Sequence, residues 1–143
     1  MSVKQISAFV ENKPGQLAKF TDVLTQHGID MRALSLAETE DFGIVRIITD
    51  DSYKTACVLK DAGYIFSITP VIAVEIPDAP GGLNKVLHLL NDKGINIEYT
   101  YAFTARKQDT AYMIFRVQDD VKATVVLGAQ NITTLKQEDI ETF

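Results

Sequence analysis

The chain has 143 residues, of which 46% are hydrophobic and 23% charged, so it can bury a core and is neither low in complexity nor disordered. Fourteen Lys and Arg residues against nineteen Asp and Glu give a formal net charge of −5, which disfavours a nucleic-acid partner or an anionic membrane surface. One cysteine and two histidines exclude an intrachain disulfide and leave too few soft ligands for a structural zinc site. We therefore expect no metal, no cofactor and a reducing, cytoplasmic location.

The chain shows no sign of export or of membrane insertion. Its first residues lead directly into an alternating pattern, without the apolar run of about 7–15 residues that a signal peptide carries. The longest mostly apolar window, 71–76, is far shorter than the roughly 20 residues that a membrane-spanning helix needs. We expect no segment to cross a membrane.

The first half of the chain predicts a strand, a helix, two strands, a helix and a strand. Alternating apolar residues over 3–10 suit a buried strand, and the apolar residues of 17–24 lie at helical spacing. Gly28 fits a helix C-cap, because a left-handed conformation costs glycine little. Strands follow at 31–37 and 44–48, an Asp-Asp pair favours a helix over about 51–62, and a short strand is predicted at 65–68.

The second half predicts the same elements in the same order. A strand at 71–76 precedes a helix whose apolar residues run from 83 to 90 and which ends at Gly94. Strands are predicted at 97–104 and 112–117, a helix at about 120–128 and a last strand at 132–135. The agreement between the two halves strengthens the prediction of each element.

Two motifs repeat at a fixed distance. Pro14-Gly15-Gln16-Leu17 returns as Pro80-Gly81-Gly82-Leu83, and Gly28-Ile29-Asp30-Met31 returns as Gly94-Ile95-Asn96-Ile97, each 66 positions later (80 − 14 and 94 − 28). We interpret the chain as two diverged copies, 1–69 and 70–143, each an α+β, ferredoxin-like βαββαβ unit. The linker between the copies, Thr69-Pro70, is short and stiff, so a single compact pair of units is expected.

The loops that precede the first helix of each copy, 11–17 and 77–83, are the most informative segments. Proline presets φ for the start of a helix, while glycine lets the backbone approach a ligand and leaves nearby N–H groups free. A helix N-terminus with free amides suits a carboxylate, and a side-chain oxygen of Asn12 or Asp78 suits an ammonium group. Together these groups match a zwitterion.

The pattern of a strand, Asn/Asp-x-Pro-Gly-x-Leu, an amphipathic helix and Gly-Ile-Asp/Asn, within a βαββαβ unit, resembles the ACT domain, a regulatory module that senses amino acids. The resemblance occurs twice and covers nearly the whole chain. It implies a ligand at an interface between two modules, held by the first loop of one and the start of the second strand of the other. The residues it implies are Asn12, Pro14, Gly15, Gln16, Leu17, Asp30 and Met31 in the first copy, and Asp78, Pro80, Gly81, Gly82, Leu83, Asn96 and Ile97 in the second.

The two implied sites are not equivalent in charge. Asn12 becomes Asp78, and Asp30 becomes Asn96, so equal affinity at the two sites is not expected. The resemblance also implies that modules pair side by side through their second strands, in a continuous eight-stranded sheet with helices on one face. Arg32 and Glu98 occupy the same position in the two copies, and such pairing would bring them together.

Each of these residues also has a purely structural interpretation. The Pro-Gly loops suit an ordinary turn before a helix, and Asp30 and Asn96 suit turn residues. Solvent-facing or helix-terminal roles are favoured over catalysis for the two histidines, and Cys57, aligned with Val125, is predicted to be a small buried hydrophobic residue. The stripe of Tyr99, Tyr101 and Phe103 favours core or interface packing, with a stacking platform for bases or a ligand ring as the alternative.

The leading hypothesis is a non-enzymatic pair of ACT modules that binds a free amino acid where the modules meet and regulates a partner in trans, with a regulated enzyme as the candidate partner and a homodimer expected. No nucleophile elbow, phosphate-binding loop or His-Glu-x-x-His motif is present. Three alternatives stay open. They are a regulatory subunit resembling the small subunit of acetohydroxyacid synthase, a small enzyme on a ferredoxin-like scaffold, and a structural oligomerisation module.

Overall fold

The computed structural model describes residues 2–104 and 107–143. All four predicted helices are confirmed, with ends close to those expected, and the predicted strands are confirmed except at two places. The elements follow in chain order as β1 (Val3–Glu11), α1 (Gln16–Gln26), β2 (Met31–Glu38), β3 (Phe42–Thr49), α2 (Ser52–Asp61), β4 (Phe66–Pro77), α3 (Gly82–Asp92), β5 (Ile97–Ala102), β6 (Thr110–Val117), α4 (Asp120–Ala129) and α5 (Gln137–Glu141). In the described part of the chain, no helix has the length and apolar character needed to cross a membrane.

One strand, β4, belongs to both units. The strands form a six-stranded antiparallel sheet in the order β2-β3-β1-β4-β6-β5. The first half of β4 pairs with β1, from Ala8 opposite Phe66 to Val3 opposite Val71, and its second half pairs with β6 from Ile72 onward. The fold is therefore α+β, with two βαββαβ-like units, as predicted from the repeat.

The predicted linker Thr69-Pro70 is wrong, because both residues lie inside β4. Proline interrupts a sheet where its missing N–H removes a ladder bond. The carbonyl of Pro70 accepts a hydrogen bond from the Arg116 guanidinium at 2.9 Å, so the polar groups of this residue point away from β1. The proline therefore removes no bond to its neighbour strand, and β4 continues through it.

The helices of both units cover the same face of the sheet. On β4, Phe66 packs with the core of the first unit beneath α1 and α2, while Ile72, Val74 and Ile76 pack beneath α3 and α4. These are alternate residues of one strand, so they share a face. A third core, on the opposite face, contains residues of both units, namely Val3, Ala33, Ile48, Val71, Ala73, Tyr112, Ile114, Leu135 and Ile140.

The sheet curls until its two outer strands meet. Ala33 at the start of β2 bridges Phe103 just after β5, and the Thr104 N–H donates to the Arg32 carbonyl at 2.8 Å. The eight-stranded sheet expected from the resemblance is therefore not formed, because β4 serves both units and the second strands touch through this one bridge. Helices on one face of an antiparallel sheet are confirmed.

The expected contact between Arg32 and Glu98 is also wrong. Arg32 forms an ion pair with Asp30 and donates to the carbonyls of Ile140 (3.0 Å) and Glu141 (3.2 Å). Glu98 lies 3.4 Å from Arg116 instead. The two positions are equivalent in the repeat, but the curl of the sheet places each beside other partners.

The strand predicted at 132–135 is reduced to a single bridge between Val74 and Thr134, with a 2.8 Å bond from the Leu135 N–H to the Ala73 carbonyl. After it the chain forms the short helix α5, which the hydrophobic pattern did not predict. Ile140 of this helix is fully buried in the shared core, and the Phe143 ring lies 5.0 Å from that of Tyr112. The C-terminal segment therefore covers the concave face of the second unit.

A buried polar network joins the two units inside the curl. Gln5 has no solvent exposure, and its amide donates to the Tyr99 hydroxyl at 2.8 Å while it accepts from the Tyr101 hydroxyl at 2.6 Å. The Arg46 guanidinium lies 3.8 Å from the centre of the Tyr99 ring, which is a cation–π contact. The prediction that the Tyr99, Tyr101 and Phe103 stripe packs in a core or interface is confirmed.

The first residues of α1 and α3 differ in how much space surrounds the Cβ position. A Cβ on Gly82 would lie 2.3 Å from the Pro77 carbonyl oxygen, which is backbone and cannot swing away. The first unit carries Gln16 at the equivalent position, at the start of α1. Glycine at position 82 is therefore required by packing.

Gly82→Ala is expected to destabilise the protein by about 1–3 kcal/mol, because the added methyl group forces the backbone at Pro77 to move. Gln16→Ala, the matched change in the first unit, is expected to alter stability by less than about 0.5 kcal/mol. Urea denaturation of both variants measures the difference, and equal effects would contradict this account of the second loop.

Burial, together with the neighbouring Tyr99, raises the pKa of the Tyr101 phenol well above its usual range. In the unfolded chain, tyrosines ionise at about pH 10, whereas Tyr101 of the folded chain keeps its proton. The stability that this group contributes is therefore present below about pH 10 and is lost as the pH rises further. We expect the free energy of unfolding to fall above about pH 10, and less steeply in Tyr101→Phe. Tyr53→Phe, at a side chain that is 80% exposed, is the control. An unchanged slope in Tyr101→Phe would contradict the assignment.

Candidate functional site

The two Pro-Gly loops begin α1 and α3 with nearly the same geometry. Gly15 and Gly81 are the N-cap residues, with φ of 82° and 87°, in the left-handed region that glycine adopts without strain. No side chain caps either helix. The Gln16 N–H donates to the Lys13 carbonyl at 3.3 Å and the Gly82 N–H to the Ala79 carbonyl at 3.1 Å. The next two amides of each helix are left for solvent or a ligand, at the positive end of the helix dipole.

Asn12 braces the first loop against the turn between β2 and β3. Its side-chain amide donates to the carbonyls of Thr39 (3.3 Å) and Glu40 (3.4 Å), and its backbone N–H donates to the Asp41 carbonyl at 3.0 Å. The amide nitrogen is occupied in this way, while the side-chain oxygen stays available as an acceptor. Asn12 thus combines a structural role with the capacity to accept a bond from a ligand.

The second loop has a different charge. Asp78 is exposed, and its backbone N–H donates to the Asp109 carbonyl at 3.0 Å, which matches the bond of Asn12 in the first unit. Its carboxylate has no ion-pair partner in the part of the chain that the structure describes. In the first loop, Glu11 and Lys13 pair at 2.9 Å, which lowers the pKa of Glu11 and raises that of Lys13. The first loop is therefore charge-balanced and the second carries one free carboxylate.

Asp30 and Met31 lie where β2 begins. The Asp30 N–H donates to the Asp50 carboxylate at 3.1 Å, and its own carboxylate pairs with Arg32. The Asp30 side chain is 67% exposed and that of Arg32 only 12%. Met31 is partly buried against the core of the first unit. The carboxylate of Asp30 is thus held in place at the surface.

Asn96 and Ile97 lie where β5 begins, beside two open grooves. The larger, of about 390 Å³, is lined by Leu87, Asn91, Gly94, Ile95, Asn96 and Ile97. A second, of about 190 Å³, continues past Asn96 to Gln118, Asp119 and Lys122. The predicted strand-start residues of the second unit therefore face accessible space.

Within one unit, the loop and the strand start lie apart. The helix between them has 11 residues in each unit, which separates its ends by about 16 Å. Between the units, β2 and β5 run antiparallel where they meet, so the start of β2 lies beside the end of β5. We name two junctions from this arrangement: the first combines loop 12–17 with Asn96 and Ile97, and the second combines loop 78–83 with Asp30 and Met31.

At the second junction, residues that follow β5 and precede β6 bond to both of its segments. The Thr104 N–H and hydroxyl both donate to the Arg32 carbonyl, at 2.8 and 3.0 Å. Asp109, farther along the same connection, holds the backbone of Asp78. At the first junction the described residues form no bridge or hydrogen bond between loop 12–17 and Asn96 or Ile97: the cavity beside the loop is lined by the first unit, and the grooves at Asn96 by the second.

Several lining residues were missed by sequence reasoning. A small cavity of about 90 Å³ beside the first loop is also lined by Leu36, Glu38 and Gly43, and a groove of about 500 Å³ beside Asp78 is also lined by Lys107 and Gln108. Leu36 is 50% exposed, an apolar residue on a strand that leaves its side chain half open to solvent. Nothing in the local pattern distinguishes it from a core residue.

The histidines and the cysteine lie away from the junctions' backbone amides. His27 ends α1, where its ring Nδ1 lies 2.9 Å from the Val23 carbonyl, and His88 is exposed on α3, as predicted for helix-terminal and solvent-facing residues. The prediction for Cys57 is wrong, because its side chain is exposed on α2, like that of Val125 on α4. Among residues 2–104 and 107–143, no three His, Cys, Asp or Glu side chains gather as they would around a metal ion.

Comparison with known proteins identifies the family. The ACT domain pair family matches residues 1–143. Among solved structures, protein BT0572 from Bacteroides thetaiotaomicron is 36% identical, with a TM-score of 0.92 over 100% of this chain and 98% of that chain. No curated protein matches the sequence.

More distant structures share the fold. The ligand-free regulatory subunit of aspartate kinase from Thermus thermophilus is 17% identical, with a TM-score of 0.66 over 88% of this chain and 91% of that one. The corresponding subunit from Thermus flavus is also 17% identical, with a TM-score of 0.64 over 90% of each chain. The repeated Pro-Gly loops, the two βαββαβ-like units and the match over the full length agree, and this chain belongs to the ACT domain pair family.

Proposed function

We propose that this protein is a non-enzymatic sensor that binds a free amino acid at the junctions between its two modules and regulates a partner in trans. The observation that supports this most is the pair of helix N-termini without a side-chain cap, each preceded by a left-handed glycine. A regulated enzyme of amino-acid metabolism is the proposed partner class, because structural neighbours include regulatory subunits of aspartate kinase.

The ligand's backbone groups have complementary partners in each loop. Its carboxylate binds the second and third amides of α1 or of α3, where the helix dipole adds a favourable field. Its ammonium group lies near the side-chain oxygen of Asn12 at the first junction, or near the carboxylate of Asp78 at the second. The ligand side chain then extends toward the facing strand start.

The two junctions differ in the side chain they favour. The second combines Asp78 with Asp30, and the pairing of Asp30 with Arg32 leaves a net negative charge there. The first combines Asn12 with Asn96 and has no net charge from these groups. The second junction therefore favours an amino acid with a neutral or basic side chain, and the two junctions bind with unequal affinity.

Regulation follows from the contacts that hold the two units together. Where β2 meets the end of β5, the described residues form one bridge, between Ala33 and Phe103, and two bonds from Thr104 to the Arg32 carbonyl. This contact is shorter than the ladders within each unit, so it can open more readily. A ligand held by both units stabilises the packing in which the strands stay together. We propose that the partner recognises this packing, and that the protein acts as a homodimer.

Thermal denaturation of the purified protein with each proteinogenic amino acid tests the proposal. A ligand at about a hundredfold above its Kd stabilises the fold by about 2.7 kcal/mol, which gives a clear rise in Tm. We expect one amino acid, or a chemically related group, to produce this rise. If no amino acid raised the Tm, the sensor function would be refuted.

Single substitutions then assign the junction. Asp78→Asn and Asp30→Asn are expected to weaken binding if the ligand occupies the second junction, and Asn96→Leu if it occupies the first. Asp61→Asn, at an exposed carboxylate that ends α2, is the matched control and is expected to leave the ligand-induced shift unchanged. A shift that persists in all three junction variants would place the ligand elsewhere.

A further inference from the structure

The concave face of the first unit carries large apolar side chains that are open to solvent. Phe9 is 50% exposed, Phe42 51% and Ile65 73%. Phe9 lies opposite Ile44 on β3, and its N–H donates to the Ile65 carbonyl at 3.0 Å, so these residues form one row across three neighbouring chain segments. Phe42 lies one row farther along, opposite Glu11. We name Phe9, Phe42, Ile44 and Ile65 the apolar patch.

The second unit stops short of this patch. Its strand β5 reaches the first unit at Arg46, whose guanidinium stacks on Tyr99, and Arg46 lies opposite Ser7, one row before Phe9. The patch is therefore continuous with the interface between the units but lies beyond it. An exposed apolar patch bordered by polar groups is a common mark of a protein interaction site.

The equivalent row of the second unit is covered by the chain itself. There Glu75 lies opposite Tyr112, which bonds the backbone of Phe103. The Phe143 ring packs 5.0 Å from that of Tyr112 and 5.9 Å from that of Phe103, and Tyr112 is only 4% exposed. The Phe143 side chain thus covers this row in the second unit, whereas the row in the first unit is left open.

The patch has an acidic border at the end beyond Phe42, whereas the cation at its other end, Arg46, is engaged on the Tyr99 ring. Glu11 lies directly opposite Phe42 but is paired with Lys13, while Glu40 and Asp41, which precede Phe42, have no ion-pair partner among the described residues. A second copy of this chain would bring the same acidic border, and a net charge of −5, against it. Three large side chains also offer far less than the roughly 800 Å² per partner that a stable dimer buries.

We propose that the apolar patch docks a short segment of a partner protein in which apolar side chains are flanked by lysine or arginine. The segment takes the place on the first unit that Phe143 takes on the second. This proposal rests on the proposed function in one respect, namely that the docked protein is the one regulated. It does not depend on which amino acid binds at the junctions.

Three synthetic peptides test the proposal by fluorescence anisotropy. All carry a fluorophore, the first with a central Leu-Phe-Leu flanked by lysines, the second with the same centre flanked by glutamates, and the third with lysines around Ser-Gly-Ser. We expect the first peptide to bind at least about tenfold more tightly than either of the others, because both the apolar centre and the charge are needed.

Variants locate the binding. Phe9→Ser and, separately, Ile65→Ser are expected to weaken binding of the first peptide by about tenfold or more. Val125→Ser is the control, since that side chain is 66% exposed on a helix away from the patch. The double change Glu40→Gln with Asp41→Asn is expected to weaken binding about threefold to tenfold. Circular dichroism melting of each variant shows that it is folded.

Several results would overturn the proposal. Equal binding of the three peptides, or binding unchanged in Phe9→Ser, would show that the patch does not select this segment. A dimer in sedimentation velocity that Phe9→Ser converts to a monomer would assign the patch to a second copy instead. Peptide binding with no response to any amino acid would uphold the docking surface while refuting the sensor function, so the two failures are distinguishable.

Discussion

The passage of β4 through both units is the constraint on which the rest of the structure depends. Because Phe66–Pro77 supplies one strand to each ladder, the units cannot turn independently without bending this strand or breaking its pairs. The outer strands of both units meet at the Ala33–Phe103 bridge, beside the bonds from Thr104 to Arg32. A signal between the units would therefore act on this outer contact, on the polar network around Gln5 or on the twist of β4.

The two units are alike in backbone and unlike in surface. Both Pro-Gly loops place a left-handed glycine before an uncapped helix, yet the first loop balances Glu11 with Lys13 and the second leaves Asp78 unpaired. On the concave face, the second unit is covered by the C-terminal segment and the first is open. The two units therefore share a backbone, while the charge of the loop and the cover of the concave face differ between them.

The sequence predicted what local periodicity determines and missed what depends on the packing between units. The order of elements, the left-handed Gly28 and Gly94 after α1 and α3, and the start of α2 at an Asp-Asp pair follow from nearby residues, and the structure confirms them. It adds that Asp51 and Asp119 are N-caps, which the prediction from the helix dipole did not specify. Pro70 indicated a break because sequence alone does not show that its carbonyl points toward Arg116. The burial of Cys57 and the pairing of Arg32 with Glu98 were inferred from the repeat, which aligns positions but not their surroundings.

The C-terminal residues affect how the protein molecules associate with one another. Arg32 holds the last turn of α5 by its carbonyls, and Phe143 closes the aromatic row of the second unit. A chain shortened by these few residues would expose Phe103 and Tyr112 while keeping its other apolar face. With apolar surface open on the concave face of both units, such molecules would offer a larger area for nonspecific association. The final segment therefore confines the exposed apolar surface of this face to the first unit.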